Sequence, residues 1–295
     1  MKMVEQFLRD ELLETLPSTY DRAALSSAAT ATYVIHQDVC YDYTEPVTHL
    51  HQRLVILPRW RHGDQRRIGH RFHVRSCDGA TVRCRIDRFG NPVLHITVAI
   101  VPESIHFQAR AVVTRHPKLV QAHDDWDART PTITPLTDPD EAIRDAAVQF
   151  AGIGDVEETA DRIGEFVRDA FSYGHDVTSV RTTAAQAWGG RTGVCQDMAH
   201  VMIAICTSIG LPSRYVSGHL VGDGASHAWV EVYDERRQAT VAVDPTHSRR
   251  TDLRYITTAV GRDYRDVAPT AGTYVSDGGT GRLTVRKRIR LAELT

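Results

Sequence analysis

The chain predicts an α+β protein, with a sandwich-like antiparallel β region first and then a unit whose core helix packs on an antiparallel sheet. Three observations predict it. β-prone runs broken by turn residues occupy about 30–115. Capped helical stripes follow up to Ile209, and strands return beyond Pro212. Helices followed by strands within one region indicate a layered helix-on-sheet arrangement, with no call for a parallel βαβ fold.

Residues 1–29 read as a helical N-terminal extension, because Val4, Phe7, Leu8 and Leu12 recur at helical spacing. The antiparallel β domain spans 30–117, with strands expected at 30–36, 53–57, 72–77, 81–86, 93–98 and 106–114. Asp78-Gly79 between two of these runs predicts a hairpin. Residues 118–139 hold Asp124, Asp125, Asp127, Pro131, Pro135 and Pro139 without any period, and read as a linker. The catalytic domain is expected over 140–295. Within it Pro139 opens a helix running to Phe150. Asp155 and Glu158 form a capping box ahead of Val156, Ala160, Ile163, Val167 and Ala170. A further helix runs from Cys195 to Ile209 and is stopped by Gly210 and Pro212. Strands are expected at 214–220, 227–233, 240–243 and 283–289.

Composition narrows the function. The chain has 295 residues, 42% hydrophobic and 24% charged, so it can bury a core without disulfides. Its 35 basic and 37 acidic residues leave no cationic excess for a nucleic-acid backbone or an anionic membrane. Neither partner is expected. Glu5, Arg9, Asp10 and Glu11 interrupt the start where a secretory signal would be apolar, so a cytoplasmic location is expected. Five cysteines include no CxxC pair, and Cys77 and Cys84 read as reduced strand residues. Fifteen histidines include no HExxH; beyond His49 and His51 there is no metal-like pairing, so no metal and no cofactor are expected. No pattern specifies an oligomeric state.

Chemistry concentrates around Cys195. Gly189, Gly190 and Gly193 let the backbone turn sharply into the helix that Cys195 opens. Unpaired N–H groups and the helix dipole there favour a thiolate and could receive an oxyanion. Cysteine is more commonly a buried apolar residue, and Cys206 fits that description. Cys195, followed by polar Gln196 and Asp197, does not. Residues 226–233 alternate, placing His227, Trp229, Glu231 and Tyr233 on one face. A hairpin turning near Glu235 and Arg236 sets His227 directly opposite Asp244, close enough for the carboxylate to take the imidazole N–H. Alone, His227 reads as a sheet histidine and Asp244 as a turn residue before Pro245; with the glycine-flanked cysteine they form a Cys-His-Asp set.

These residues resemble the bacterial transglutaminase-like superfamily, relatives of papain-type thiol enzymes. The resemblance rests on 191–200 (RTGVCQDMAH), 210–218 (GLPSRYVSG), 226–232 (SHAWVEV) and Asp244-Pro245-Thr246. Residues 261–269 (GRDYRDVAP), Asp87-Arg88-Phe89-Gly90-Asn91 and Val101-Pro102-Glu103 match the subgroup with an extra N-terminal β domain. His247 stands where many relatives carry asparagine. The resemblance implies Cys195 as nucleophile, His227 as general base and then acid, and Asp244 as the orienting carboxylate. Tyr173 and Gln196 are candidates for the oxyanion, while Trp188 and Trp229 are candidates for lining the site. The implied reaction is acyl transfer through a Cys195 thioester, on a protein or peptide substrate with a glutamine-type or peptide amide. An amine acceptor makes it a transglutaminase; water makes it a cysteine peptidase or amidohydrolase. A non-catalytic protein-binding module is the remaining alternative.

Overall fold

The computed structural model describes residues 2–8, 16, 21–116, 133–222 and 226–295. Two antiparallel sheets form a sandwich. The first sheet runs in the order β16-β1-β7-β4-β3 and the second in the order β15-β2-β6-β5. Their strands are β1 (Ala31–Tyr43), β2 (Val47–Leu54), β3 (Arg61–His62), β4 (Gln65–Arg75), β5 (Thr81–Ile86), β6 (Pro92–Val101), β7 (Ser104–Arg115), β15 (Thr270–Val275) and β16 (Gly281–Leu294). Inward residues of both sheets, among them Val39, Leu50, Leu54, Leu94, Ile96, Ile105 and Phe107, make one dry core, as alternation along facing strands requires.

Two expectations are corrected here. Asp78-Gly79 does not close a hairpin: β4 pairs with β7 and β5 with β6, in different sheets. Gly79, at φ +75°, turns the corner between the two layers, a task that needs the same left-handed backbone as a hairpin turn. Cys77 and Cys84 flank that corner as free thiols. The second correction concerns 140–295, which does not form one unit. β15 pairs with β2, and β16 pairs along the whole of β1, so the end of the chain completes the sandwich. A strand's sequence sets which face is buried but carries no address for its partner.

The N-terminal extension holds helices at Lys2–Phe7 and Arg22–Ser27. Phe7 and Leu8 pack on Val34 and Val112. Leu12, residue 117 and most of the linker (118–132) lie outside the described residues.

The second unit is a five-stranded antiparallel sheet, order β13-β12-β11-β10-β14, with helices on one face. Its strands are β10 (Ser213–Leu220), β11 (Ser226–Asp234), β12 (Ala239–Asp244), β13 (Arg249–Arg250) and β14 (Tyr255–Gly261). The helices are Glu141–Ala147, Val156–Ala170, Ala184–Gly190 and Cys195–Ser208, with a short one at Tyr264–Val267. Asp155 caps its helix by accepting the Glu158 N–H at 2.9 Å, satisfying a donor that the helix leaves open. The Cys195–Ser208 helix is buried nearly all round: Met198, Val201, Met202 and Ile205 lie in one cluster with Ala228, Val230 and Val232 of β11.

β14 is the sheet edge that faces the sandwich, and side-chain amides pair it there. The Gln65 side chain donates to the Thr257 carbonyl and accepts the Thr257 N–H. Asn91 does the same at Val260. Each amide imitates a neighbouring strand and satisfies backbone groups that burial would otherwise leave unpaired. Asp87 holds Asn91 in place by accepting from the Phe89 and Asn91 N–H groups, which gives the 87–91 motif a structural role.

Candidate active site

Cys195 is the first residue of its helix, entered through the two-residue strand β9 (Thr192–Gly193). β9 pairs in parallel with β8 (Ser172–Tyr173), setting Tyr173 beside Gly193. Gly193 is required by crowding: a Cβ there would press on the Asp197 side chain. Asp197 accepts the Val194 N–H at 2.8 Å and the Thr178 hydroxyl at 2.7 Å, tying the helix start to the preceding loop. Burial pushes its carboxyl above the ordinary range, against those hydrogen bonds. The N–H groups of Cys195 and Gln196, in the open first turn, have no intrahelical acceptor. Cys195 itself is partly exposed, whereas Cys206, one of the residues of the same helix, is fully buried.

His227 stands at the start of β11, hydrogen-bonds Asp244, and has the Cys195 thiol near enough to raise its pKa. Its Nε2 lies 2.8 Å from Asp244 Oδ2, which leaves Nδ1 for the thiol. The hairpin register differs from the expected one by two residues: Val230 pairs with Val243 and Tyr233 with Thr240. His227 and Asp244 therefore meet diagonally. A shift of two keeps both on one face, where a shift of one would have separated them; the longer turn over 235–238 accounts for it.

Asp244 is fully buried and collects donors. Oδ2 receives His227, His247 Nδ1 at 2.7 Å and the Tyr255 hydroxyl at 2.6 Å, while Oδ1 accepts the Thr246 N–H at 2.9 Å. Burial alone would raise this carboxyl, yet the bonds from His227 and His247 hold it well below the usual range. Burial also works against the His227 imidazolium, but the bond to Asp244 and the neighbouring Cys195 thiol prevail and push it up to about 10. Burial and the Asp244 charge keep the Tyr255 hydroxyl protonated, and Arg249 Nε donates to its oxygen at 2.7 Å.

In the sequence His247 was noted only as a departure from relatives, and Tyr255 was not singled out. The first had a legible signal, since a histidine three residues after a turn aspartate can fold back on it. Tyr255 lies on β14 and had none.

The other candidates are distributed differently. Trp229 stacks beside His227, ring centroids 6.3 Å apart, and meets Tyr255 edge-on. Trp188 packs in the core against Phe166 and Phe171, with the Arg191 guanidinium 3.3 Å over its ring. Gln196 turns its amide to the Ser179 carbonyl at 3.4 Å. Tyr173 is 49% exposed and contacts His175 edge-on. His200, from the 191–200 motif, is buried and neutral, its pKa lowered to about 4 by burial, and its Nε2 accepts the Tyr264 N–H. It braces the 261–269 motif against the helix.

Residues 144–245 match the model of the transglutaminase-like superfamily, and residues 33–114 match that of the bacterial transglutaminase-like N-terminal region. An uncharacterised protein of Mycobacterium leprae is 36% identical over 137 residues, 43% of this chain and 48% of that protein; the match thus spans about half its length. An uncharacterised protein of Mycobacterium tuberculosis H37Rv is 27% identical over 284 residues, covering 84% of this chain and 89% of that one. An inferred cysteine protease from Cytophaga hutchinsonii shares the fold, with TM-score 0.67, 18% identity, and 89% and 98% of the two chains covered. The expectation of a cytoplasmic protein is corrected: the matched solved chains include the periplasmic domain of TgpA from Pseudomonas aeruginosa (TM-score 0.39, 16% identity, 77% and 92% covered).

Proposed function

Since the chain belongs to the transglutaminase-like superfamily, with the bacterial N-terminal region ahead of its core, we propose that it is a thiol acyl-transfer enzyme acting on protein or peptide amides. One observation carries the reading: His227 bonds buried Asp244 and sits close enough to the Cys195 thiol for that thiol to raise its pKa. Cys195 thiolate attacks the amide carbonyl, and the oxyanion forms beside the first-turn N–H groups. Imidazolium His227 protonates the leaving amine, producing a thioester and a neutral imidazole. The imidazole then deprotonates the acceptor. Asp244 fixes the tautomer and stabilises the imidazolium without taking its proton.

The partly exposed Cys195 leaves the thioester open to an amine or to water. The first outcome is transglutamination; the second is deamidation or peptide cleavage, the activity implied by the name of the Cytophaga protein. The test is to incubate wild type and Cys195→Ala with a glutamine-containing peptide library, with and without a primary amine, and to read products by mass spectrometry. Addition of the amine with loss of ammonia identifies the transferase, gain of one mass unit the deamidase, and cleavage the peptidase. Full activity in Cys195→Ala would overturn the mechanism.

A further inference from the structure

A Cys-His-Asp centre needs one imidazole on its carboxylate, and here there are two. His227 Nε2 and His247 Nδ1 lie 2.8 and 2.7 Å from the same oxygen of Asp244. The ligand atoms of the three residues all lie within 4.8 Å of one another. The two rings are 5.3 Å apart, and the His247 side chain is 36% exposed while Asp244 is sealed. His247 is thus both surplus to the proposed reaction and open to solvent.

We propose that His227, Asp244 and His247 form a binding site for a divalent transition-metal ion of the zinc type, whose occupancy switches the centre off. Two imidazole nitrogens and one carboxylate oxygen suit zinc, cobalt, nickel or copper; magnesium and calcium prefer all-oxygen sites. A tetrahedral ion about 2.1 Å from each donor separates the donors by roughly 3.4 Å. Each nitrogen needs to withdraw from the shared oxygen by roughly 0.7 Å to reach that spacing. His247 can do so, since it stands in the turn between β12 and β13, next to Ser248 at φ +49°. The fourth position faces the solvent side of His247 and takes water. Tyr255 and the Thr246 N–H supply the outer hydrogen bonds that orient a ligating carboxylate.

Binding breaks the His227 Nε2–H bond and forms an Nε2–metal bond, the proton leaving to solvent. His247 ligates through Nδ1 and carries its proton on Nε2. The His227 ring keeps an Nδ1–H toward Cys195, but it can no longer cycle as acid and base. The switching part rests on the catalytic reading above; the binding part does not.

Calorimetry separates the two. Cys195→Ala, which removes the thiol as a ligand, is titrated with zinc chloride. One ion per chain is expected, with affinity at least tenfold weaker when His247→Asn is added and unchanged when Cys40→Ser is added. The Cys40→Ser arm controls for Cys40, Asp42 and His106 on the sandwich, the other group of suitable donors among the described residues. Circular dichroism melts confirm that each variant is folded. No saturable binding, binding lost with Cys40→Ser, or binding indifferent to His247→Asn would each overturn the site. In the wild type, saturating zinc should slow alkylation of Cys195 by iodoacetamide, and His247→Asn should relieve the effect. Binding without this slowing overturns the switch alone, and a Cys195 no more reactive than free cysteine overturns the catalytic reading while leaving the site standing.

Discussion

Asp244 meets His227 on the diagonal of the β11–β12 hairpin, two residues out of direct opposition, yet at 2.8 Å. Diagonal neighbours lie about 7–8 Å apart, with Cβ atoms somewhat closer, a gap that an imidazole can span. The bond therefore depends on the length of the histidine. It also gives the carboxylate control over the proton that catalysis moves.

Replacing Asp244 by asparagine removes the group that raises His227 to about 10. Acylation needs the imidazolium, so the wild-type kcat/KM profile should fall on its alkaline side near pH 10. In Asp244→Asn that limb should move down by more than one pH unit, and kcat should drop by about 10³–10⁴. An unmoved limb with reduced kcat would place the titration elsewhere.

The same pair sets a pH window for stability. The folded pKa of His227 is raised, so its contribution is complete below about 6.5 and is lost as pH rises through about 10. Asp244 is depressed, so its contribution is present above the ordinary carboxylate range and is lost as pH falls. Melting temperatures of the wild type should decline between pH 7 and 10, and His227→Gln should flatten that decline. Parallel slopes would refute the assignment.

Glu231 joins the two units: it accepts from His62 Nε2 at 2.7 Å and from Arg214 at 2.7 Å, all three buried. Glu231→Gln leaves the Arg214 charge without its counter-charge, and breaking a buried pair in this way costs about 3–5 kcal/mol. Urea denaturation should show the loss as a lower midpoint, with an early transition where the units separate.

Gly218 of β10 has no room for a side chain, because a Cβ would sit on the Ile256 carbonyl and the Trp229 ring. Gly218→Ala should destabilise the protein by about 2 kcal/mol or more by overpacking. It should also reduce kcat, since Trp229 stacks on His227. Preserved kcat in a destabilised variant would show that the stacking is not used.

Much of the site was legible because the strand period is two. Alternation along 226–233 placed His227, Trp229 and Glu231 on one face, and it survives a register error of two residues. The start of the Cys195–Ser208 helix was legible from its glycines and its apolar stripe. What failed was long-range. Nothing in residues 283–289 names β1 as their partner, nothing in His62 points to Glu231, and Asp78-Gly79 turns a corner as readily as it closes a hairpin. Trp188 stayed open between lid and core because an aromatic residue seven positions before a nucleophile looks the same in sequence whether it covers the thiol or fills the core.

Because β1 to β7 come first and β15 and β16 last, the helix-bearing unit is an insertion held at both ends by one sandwich. During synthesis the Cys195, His227 and Asp244 segments leave the ribosome before the strands that close the β layers, and domains generally fold as they emerge. The thiol centre is thus positioned to assemble while β1 still has an open edge. Deleting 281–295 leaves that edge unpaired for good, along Val34, Ile35 and Val39. Such an unprotected strand invites pairing between chains. The truncated protein should sediment as aggregate while its soluble fraction keeps an alkylatable Cys195, readable by centrifugation and mass spectrometry.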